Sequence, residues 1–198
     1  MTTLRPPAFD PADAAAAARR FAAAAEPDIA YDVVDGPVGP LVVAVTPRGL
    51  LQVSYEEFRG GLDEILGGLA AKVSPRILER RDVVEPVRRE LDEYFAGRRT
   101  RFDVPLDWTL TTPFQRDVLR ATAAIPFGET RSYGQIAAEI GRPGASRATG
   151  TALGRNPIPV IVPCHRILRG GGVLGNYTGG VERKRLLLDL EGVTTARD

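Results

Sequence analysis

Ser132-Tyr133-Gly134-Gln135-Ile136-Ala137-Ala138-Glu139-Ile140-Gly141-Arg142-Pro143-Gly144-Ala145-Ser146-Arg147-Ala148-Thr149-Gly150-Thr151-Ala152-Leu153-Gly154 reads as two short helices joined by a tight turn. Ser132 and Gln135 stand at the spacing of a capping box, so the first helix starts at Tyr133 and buries Ile136, Ala137 and Ile140. Gly141 and Pro143 stop it, and a second helix follows from Ala145 to Leu153, bounded by Gly144 and Gly154. Two short helices about a Gly-containing turn form a helix-turn-helix candidate. The second helix carries Ala145, Ser146, Ala148, Thr149, Gly150 and Ala152, with Arg147 as the one long side chain of its first half. Such a surface permits close approach, either to a neighbouring helix or to a nucleic-acid groove, and the helix alone leaves both open.

Ten residues further on, Pro163-Cys164-His165-Arg166 holds the only cysteine and the only histidine of the 198-residue chain. A thiol needs a base to become a thiolate, and here the one imidazole is covalently adjacent. Val160, Ile161 and Val162 read as a short buried strand, in which consecutive side chains point to opposite faces. A proton path through a bound water, with the chain turning after Pro163, is therefore expected rather than direct contact. With one cysteine there is no internal disulfide and no resolving thiol, so a stable adduct on Cys164 stays there. One cysteine and one histidine also fall short of a tetrahedral zinc set, so no metal is expected. The loop Gly170-Gly171-Gly172 to Gly175-Asn176-Tyr177-Thr178-Gly179-Gly180 is glycine-rich, yet it lacks the patterns of phosphate-binding or dinucleotide-binding loops. No cofactor is expected, and the loop is better suited to offer backbone groups to a flat polar ligand near Cys164.

Toward the N-terminus, Tyr31 to Val34, Leu41 to Thr46 and Leu50 to Tyr55 read as strands of a small antiparallel sheet, the last two joined at Pro47-Arg48-Gly49. Helical stripes at Leu62, Ile65, Leu66 and Leu69 and at Val84, Val87, Leu91, Tyr94 and Phe95 predict two helices covering one face of that sheet. Thr100 to Leu110 reads as a linker. Thr112-Pro113 then opens a helix with Phe114, Val118 and Leu119. A last helix spans Glu182 to Leu190, with Leu186, Leu187 and Leu190 inward and Glu191 at its end, where a carboxylate meets the negative end of the helix dipole unless a cation or His165 compensates. Residues 1–30 read as a helical extension starting at Asp10-Pro11, without a signal-peptide or membrane-spanning run.

Hydrophobic content of 43% is ample for a packed core. The net charge is +1, but from Arg131 onward ten Lys and Arg face five Asp and Glu, while residues 1–130 carry 16 against 20. The C-terminal third is thus the basic part, a weak pointer to a polyanionic partner. No membrane association is expected, the default location is cytoplasmic, and no obligate protein partner is evident.

Taken together, Pro163-Cys164-His165-Arg166, Asn156-Pro157, Ser132-Tyr133, Arg147 and Gly175-Asn176-Tyr177-Thr178-Gly179-Gly180 closely resemble the O6-alkylguanine-DNA alkyltransferases over roughly residues 31–192. The resemblance implies an α/β (α+β) chain with three parts: an extension over 1–30, a ribonuclease H-like domain with a small antiparallel sheet over 31–106, and a helical winged helix-turn-helix domain over 107–198. It implies that Cys164 accepts the alkyl group, that His165 is the base acting through water, that Glu191 orients His165, and that Asn156 braces the turn. Tyr133 would promote base rotation and donate to guanine N3, and Arg147 would fill the vacated stack. Ser132, Ala145 and Ser146 would lie along the DNA, while Tyr177, Thr178 and backbone groups of Cys164 and Ile167 would line the base pocket. The implied partner is duplex DNA containing O6-alkylguanine, with O4-alkylthymine and cooperative assembly on DNA left open. The implied reaction is a single, irreversible transfer to Cys164, preceded by flipping the nucleotide out of the duplex. A depressed thiol pKa is expected from the His165-Glu191 relay.

Three competing readings remain at this level. A lesion-binding protein that recruits repair factors without transfer is disfavoured by the presence of Cys164, which such relatives replace. A helix-turn-helix transcription regulator would not need the one-use thiol, and a cysteine hydrolase would not place its histidine directly after Pro-Cys.

Overall fold

Strand β2 (Leu41–Thr46) is buried along nearly its whole length, which requires cover on both faces of its sheet. In the computed structural model, which describes residues 26–58 and 60–195, that cover comes from two helices on opposite sides. The sheet has the order β3-β2-β1-β4, with β1 at Ile29–Val34, β3 at Gly49–Tyr55 and β4 at Ile77–Glu79. Helix α1 (Leu62–Lys72) packs Leu69 against Ile29, Ala44 and Leu51. Helix α2 (Arg81–Phe95) packs Val84, Val87, Leu91 and Tyr94 into the core that holds Ala30, Val34, Val43 and Val53. Because successive strand residues alternate between faces, Val43 and Ala44 serve different helices. The expectation that both helices cover one face is therefore corrected.

The sheet is also mixed rather than purely antiparallel. β4, which pairs with β1 in parallel from Ile29↔Ile77 to Tyr31↔Glu79, is too short to show an alternation in the sequence. The expected helix at Asp10-Pro11 lies outside the described residues.

The segment expected to be a linker is bound to the sheet edge. Leu50 donates to Pro105 O at 2.8 Å and Asp107 N donates to Leu50 O at 2.8 Å. The Asp107 carboxylate accepts from Thr46 Oγ1 at 2.7 Å, from Arg48 Nε at 3.1 Å and from Thr109 N at 3.0 Å. The connection between the two halves is thus a partner of β3 and not a free tether.

Helix α3 (Pro113–Ala123) starts at an N-cap, Thr112, whose side chain accepts from Gln115 N. The capping box forms as expected, with Ser132 Oγ accepting from Gln135 N at 3.2 Å and Gln135 Oε1 accepting from Ser132 N at 2.7 Å. Helix α4 (Tyr133–Glu139) and helix α5 (Ser146–Gly154) pack against each other, and α5 also packs on α3. Helix α5 turns Thr149, Ala152 and Leu153 inward and leaves Arg147, Ala148 and Thr151 exposed. Its small residues therefore serve both inner packing and an open outer face. A two-residue parallel ribbon, β5 (Arg131–Ser132) on β6 (Ile167–Leu168), ties the start of α4 to the segment that follows Cys164. Helix α6 (Val181–Leu190) buries Lys184, Leu187 and Leu188; Leu186 and Leu190, partly buried, pack with Leu187 against the main core as expected, while Leu188 joins a second cluster with Leu168 and Leu174. Among the described residues no helix is long and apolar enough to cross a membrane.

Candidate active site

The run from Pro157 to Pro163 forms no strand. Val160 sits at φ 73°, in the left-handed region that a β-branched residue rarely adopts, and Val162 N turns back to Ile158 O at 2.9 Å. The apolar run is buried as expected, but its side chains face a packed turn and not a ladder. Asn156 holds this turn from inside: Oδ1 accepts from Ile158 N at 3.0 Å, and Nδ2 donates to Val162 O at 2.9 Å and to Cys164 Sγ at 3.2 Å. Cys164 then opens a single 3-10 turn, Cys164–Arg166, and its thiol, 6% exposed, lies at a pocket.

Tyr133, Ser146, Arg147, Tyr177 and Thr178 line that pocket with Cys164. Tyr133 comes from the start of α4, Ser146 and Arg147 from the start of α5, and Tyr177 and Thr178 from the glycine-rich loop. Arg169, which the sequence did not single out, also lines it. Ser132, Ala145 and Ile167 lie outside the lining: the Ser132 hydroxyl is committed to its cap, and Ile167 O accepts from Lys184 Nζ at 2.6 Å. The Tyr177 and Tyr55 hydroxyls meet at 2.8 Å, so the N-terminal sheet supports the pocket wall. Gly179 permits this approach, because a Cβ there would run into the Tyr55 ring.

Behind the thiol is a fully buried polar network. Glu191 is 5% exposed, which excludes a solvated surface carboxylate. Its Oε1 accepts from Tyr94 Oη at 2.6 Å, meets His165 Nε2 at 2.9 Å and accepts from Arg166 Nη2 at 2.8 Å. Its Oε2 accepts from Arg166 Nε at 2.8 Å. Burial would raise the Glu191 pKa, but the hydrogen bonds from His165 and Arg166 prevail and lower it to about 2. A carboxylate cannot donate, so Nε2 of His165 carries the proton and Nδ1 is left with its lone pair. Nδ1 is buried without a protein partner among the described residues. Burial also lowers the His165 pKa, against the pull of Glu191, so the ring is a neutral base.

The thiol differs from expectation. Burial raises its pKa to about 11, and the Asn156 hydrogen bond and the Lys184 charge oppose this without reversing it. Since no hydrogen bond joins His165 to Sγ, the expected depression of the thiol pKa by the His165-Glu191 pair is absent in the resting protein. Lys184, wholly buried in α6, donates to Ile167 O and Leu174 O, and burial lowers its pKa to about 8. The pattern reading missed Arg166, Tyr94, Lys184 and Tyr55. Arg166 was visible only as the fourth residue of Pro-Cys-His-Arg, and Tyr94 only as one position of a core stripe.

Residues 29–108 match the family model described as the ribonuclease-like domain of 6-O-methylguanine DNA methyltransferase, and residues 113–193 match its DNA-binding domain. A Mycobacterium tuberculosis protein named methylated-DNA--protein-cysteine methyltransferase is 44% identical over 168 residues, covering 82% of this chain and 92% of the relative. A protein of the same name from Methanosarcina acetivorans is 41% identical over 162 residues, covering 82% and 97%. The crystal structure of Mycobacterium tuberculosis OGT in complex with DNA superposes with a TM-score of 0.69 at 41% identity, covering 82% of this chain and 92% of that one. The thiol, its buried relay and the helix-turn-helix beside them thus occur in a chain that belongs to the 6-O-methylguanine DNA methyltransferase family.

Proposed function

We propose that this protein repairs alkylated DNA directly, moving the alkyl group from O6 of guanine onto Cys164 Sγ and being consumed in the process. The carrying observation is the chain's only thiol, set at a pocket between a helix-turn-helix and a glycine-rich loop and backed by a buried His-Glu relay. The alkylated atom lies inside a duplex, so the nucleotide must leave the stack to reach this pocket. Arg147 on α5 enters the gap and Tyr133 crowds the phosphate; in support, Arg147 is exposed and makes no ion pair among the described residues, and both line the pocket. Ser132, Ala145 and Ser146 then follow the DNA backbone. Tyr177, Thr178 and the backbone at Cys164 hold the base, while Ile167, whose carbonyl is taken by Lys184, lies behind the pocket.

In the reaction, a water between Cys164 and His165 carries the thiol proton to Nδ1. Sγ attacks the carbon attached to O6, the S–C bond forms as the C–O6 bond breaks, and the electron pair leaves on guanine, where the Tyr133 hydroxyl stabilises it through N3. Glu191 stabilises the imidazolium so formed. The product is a thioether, whose C–S bond is not opened by thiol exchange, so no resolving cysteine is needed and the transfer is irreversible. Residues 31–106 and 107–198 act as support and reaction units respectively, the protein working as a cytoplasmic enzyme without a cofactor.

Equal amounts of protein and O6-methylguanine duplex should yield one methyl increment per chain, located by mass spectrometry on the peptide containing Cys164. Binding without the increment, or turnover beyond one equivalent, would sink this reading. Arg147→Ala should slow transfer from duplex by about 10–100-fold, since unstacking costs a few kcal/mol. Transfer from a single strand carrying the same lesion should change little. Equal losses on both substrates would reduce Arg147 to a phosphate contact.

A further inference from the structure

Tyr94 belongs to the ribonuclease-like half, near the end of α2, yet its hydroxyl reaches the relay carboxylate in the other half at 2.6 Å. The ring is wholly buried among Phe95, Phe102 and Phe127, with centroid distances of 5.5, 5.1 and 6.2 Å. This packing alone would be served by phenylalanine. The hydroxyl is not needed to satisfy Glu191 either, since Arg166 already donates to both carboxylate oxygens. Tyr94 instead donates to Oε1, the same atom that faces His165.

We propose that Tyr94 is a positioning residue for the alkyl-transfer relay, holding and partly neutralising Glu191 Oε1 so that His165 keeps its proton on Nε2 and presents Nδ1 as a base of moderate strength. The inference rests on the proposed transfer reaction and deepens it. Each donor on Oε1 draws off charge that would otherwise stabilise the imidazolium. Burial and the neighbouring Glu191 charge push the Tyr94 pKa strongly upward, so the hydroxyl remains a donor throughout the working range. The other groups that bear on the ring are Arg166 and Lys184, whose charges disfavour protonation, Tyr177, whose ring is edge-on at 6.4 Å, and the adjacent thiol. None of these changes when the Tyr94 hydroxyl is removed. The arrangement makes the N-terminal half part of the proton relay, since the base in one half is tuned by a hydroxyl from the other.

Tyr94→Phe removes one oxygen and keeps the aromatic packing. His165 is the only histidine, so its ring nitrogens can be followed by 15N NMR without assignment ambiguity. In DNA-free wild-type protein the spectrum should show the Nε2-H tautomer. In Tyr94→Phe the His165 pKa should rise by about 0.5–1 unit. The acidic limb of the methyl-transfer rate should move to higher pH by the same amount, with unchanged affinity for O6-methylguanine duplex. An Nδ1-H tautomer in wild type, an identical His165 titration in both proteins, or a uniform loss of rate with no movement of the limb would overturn the proposal. The titration needs no DNA, so failure of wild-type protein to take up a methyl group would remove the transfer reading and still leave Tyr94's effect on His165 measurable.

Discussion

Cys164→Ala takes up no methyl group from O6-methylguanine duplex, while its affinity for that duplex stays within a few-fold of wild type. The loss is complete because the chain has no second thiol to act as a substitute acceptor. Binding survives because the groups proposed to meet DNA, Tyr133 on α4 and Arg147 on α5, do not depend on the sulfur. The turn survives too: Asn156 loses its contact to Sγ but keeps Val162 O and Ile158 N. Intact-mass spectrometry and a gel-shift titration measure the two properties separately. A methyl increment on the variant would show that another atom accepts the group, and loss of binding would show that the thiol is structural.

In the proposed single-use transfer, the state of that thiol limits waste. Burial pushes the thiol pKa up to about 11, so at pH 7 it is far more fully protonated than an ordinary cysteine. The thiol is also almost fully buried. Stray electrophiles in solution therefore meet a protonated, shielded sulfur, and the proton leaves only when a substrate in the pocket draws Sγ toward its alkyl carbon. The relay behind it is arranged for this moment, being a neutral imidazole already paired with a carboxylate on its far side.

Legibility in the sequence followed the range of the interactions. The capping box at Ser132 and Gln135 and the cap at Thr112 are encoded within four residues, and both helices start where those signals stand. The helix-turn-helix was accessible for the same reason, whereas the gathering of Tyr133, Arg147 and Tyr177 around Cys164 spans 13 to 31 residues and was accessible only through the resemblance of the motifs. The turn at Val160 was misread because an apolar β-branched run looks alike whether it forms a strand or fills a core, and its positive φ leaves no mark in the composition. The stripes of α1 and α2 each mark an inner side, but which face of the sheet each helix takes depends on the connections, not on the stripe. Tyr94, Arg166 and Lys184 were hidden for a further reason: a buried polar side chain is recognisable only by its partner, and those partners lie 97, 25 and 17 residues away.

That buried network carries the largest expected effect on stability. Glu191→Ala leaves the Arg166 guanidinium, 5% exposed, without its counter-charge and the Tyr94 hydroxyl without an acceptor. Breaking a buried pair from one side costs about 3–5 kcal/mol, a large part of the whole stability of a domain. The melting temperature of a chain this size should fall by about 10 °C or more. Glu191→Gln, which keeps the shape and one acceptor, should fall less. The pH dependence has a definite sign. The folded carboxyl, at about 2, lies below its unfolded value of 4.5, so its stabilising contribution is complete above pH 4.5 and is lost as the pH falls toward 2. Wild-type protein should therefore lose stability more steeply than Glu191→Gln across that window, by an amount on the order of 3 kcal/mol, measured by urea unfolding at successive pH values. Parallel losses in the two proteins would mean that Glu191 is not held as a carboxylate, and the assignment of the Nε2 proton on His165 would fall with it.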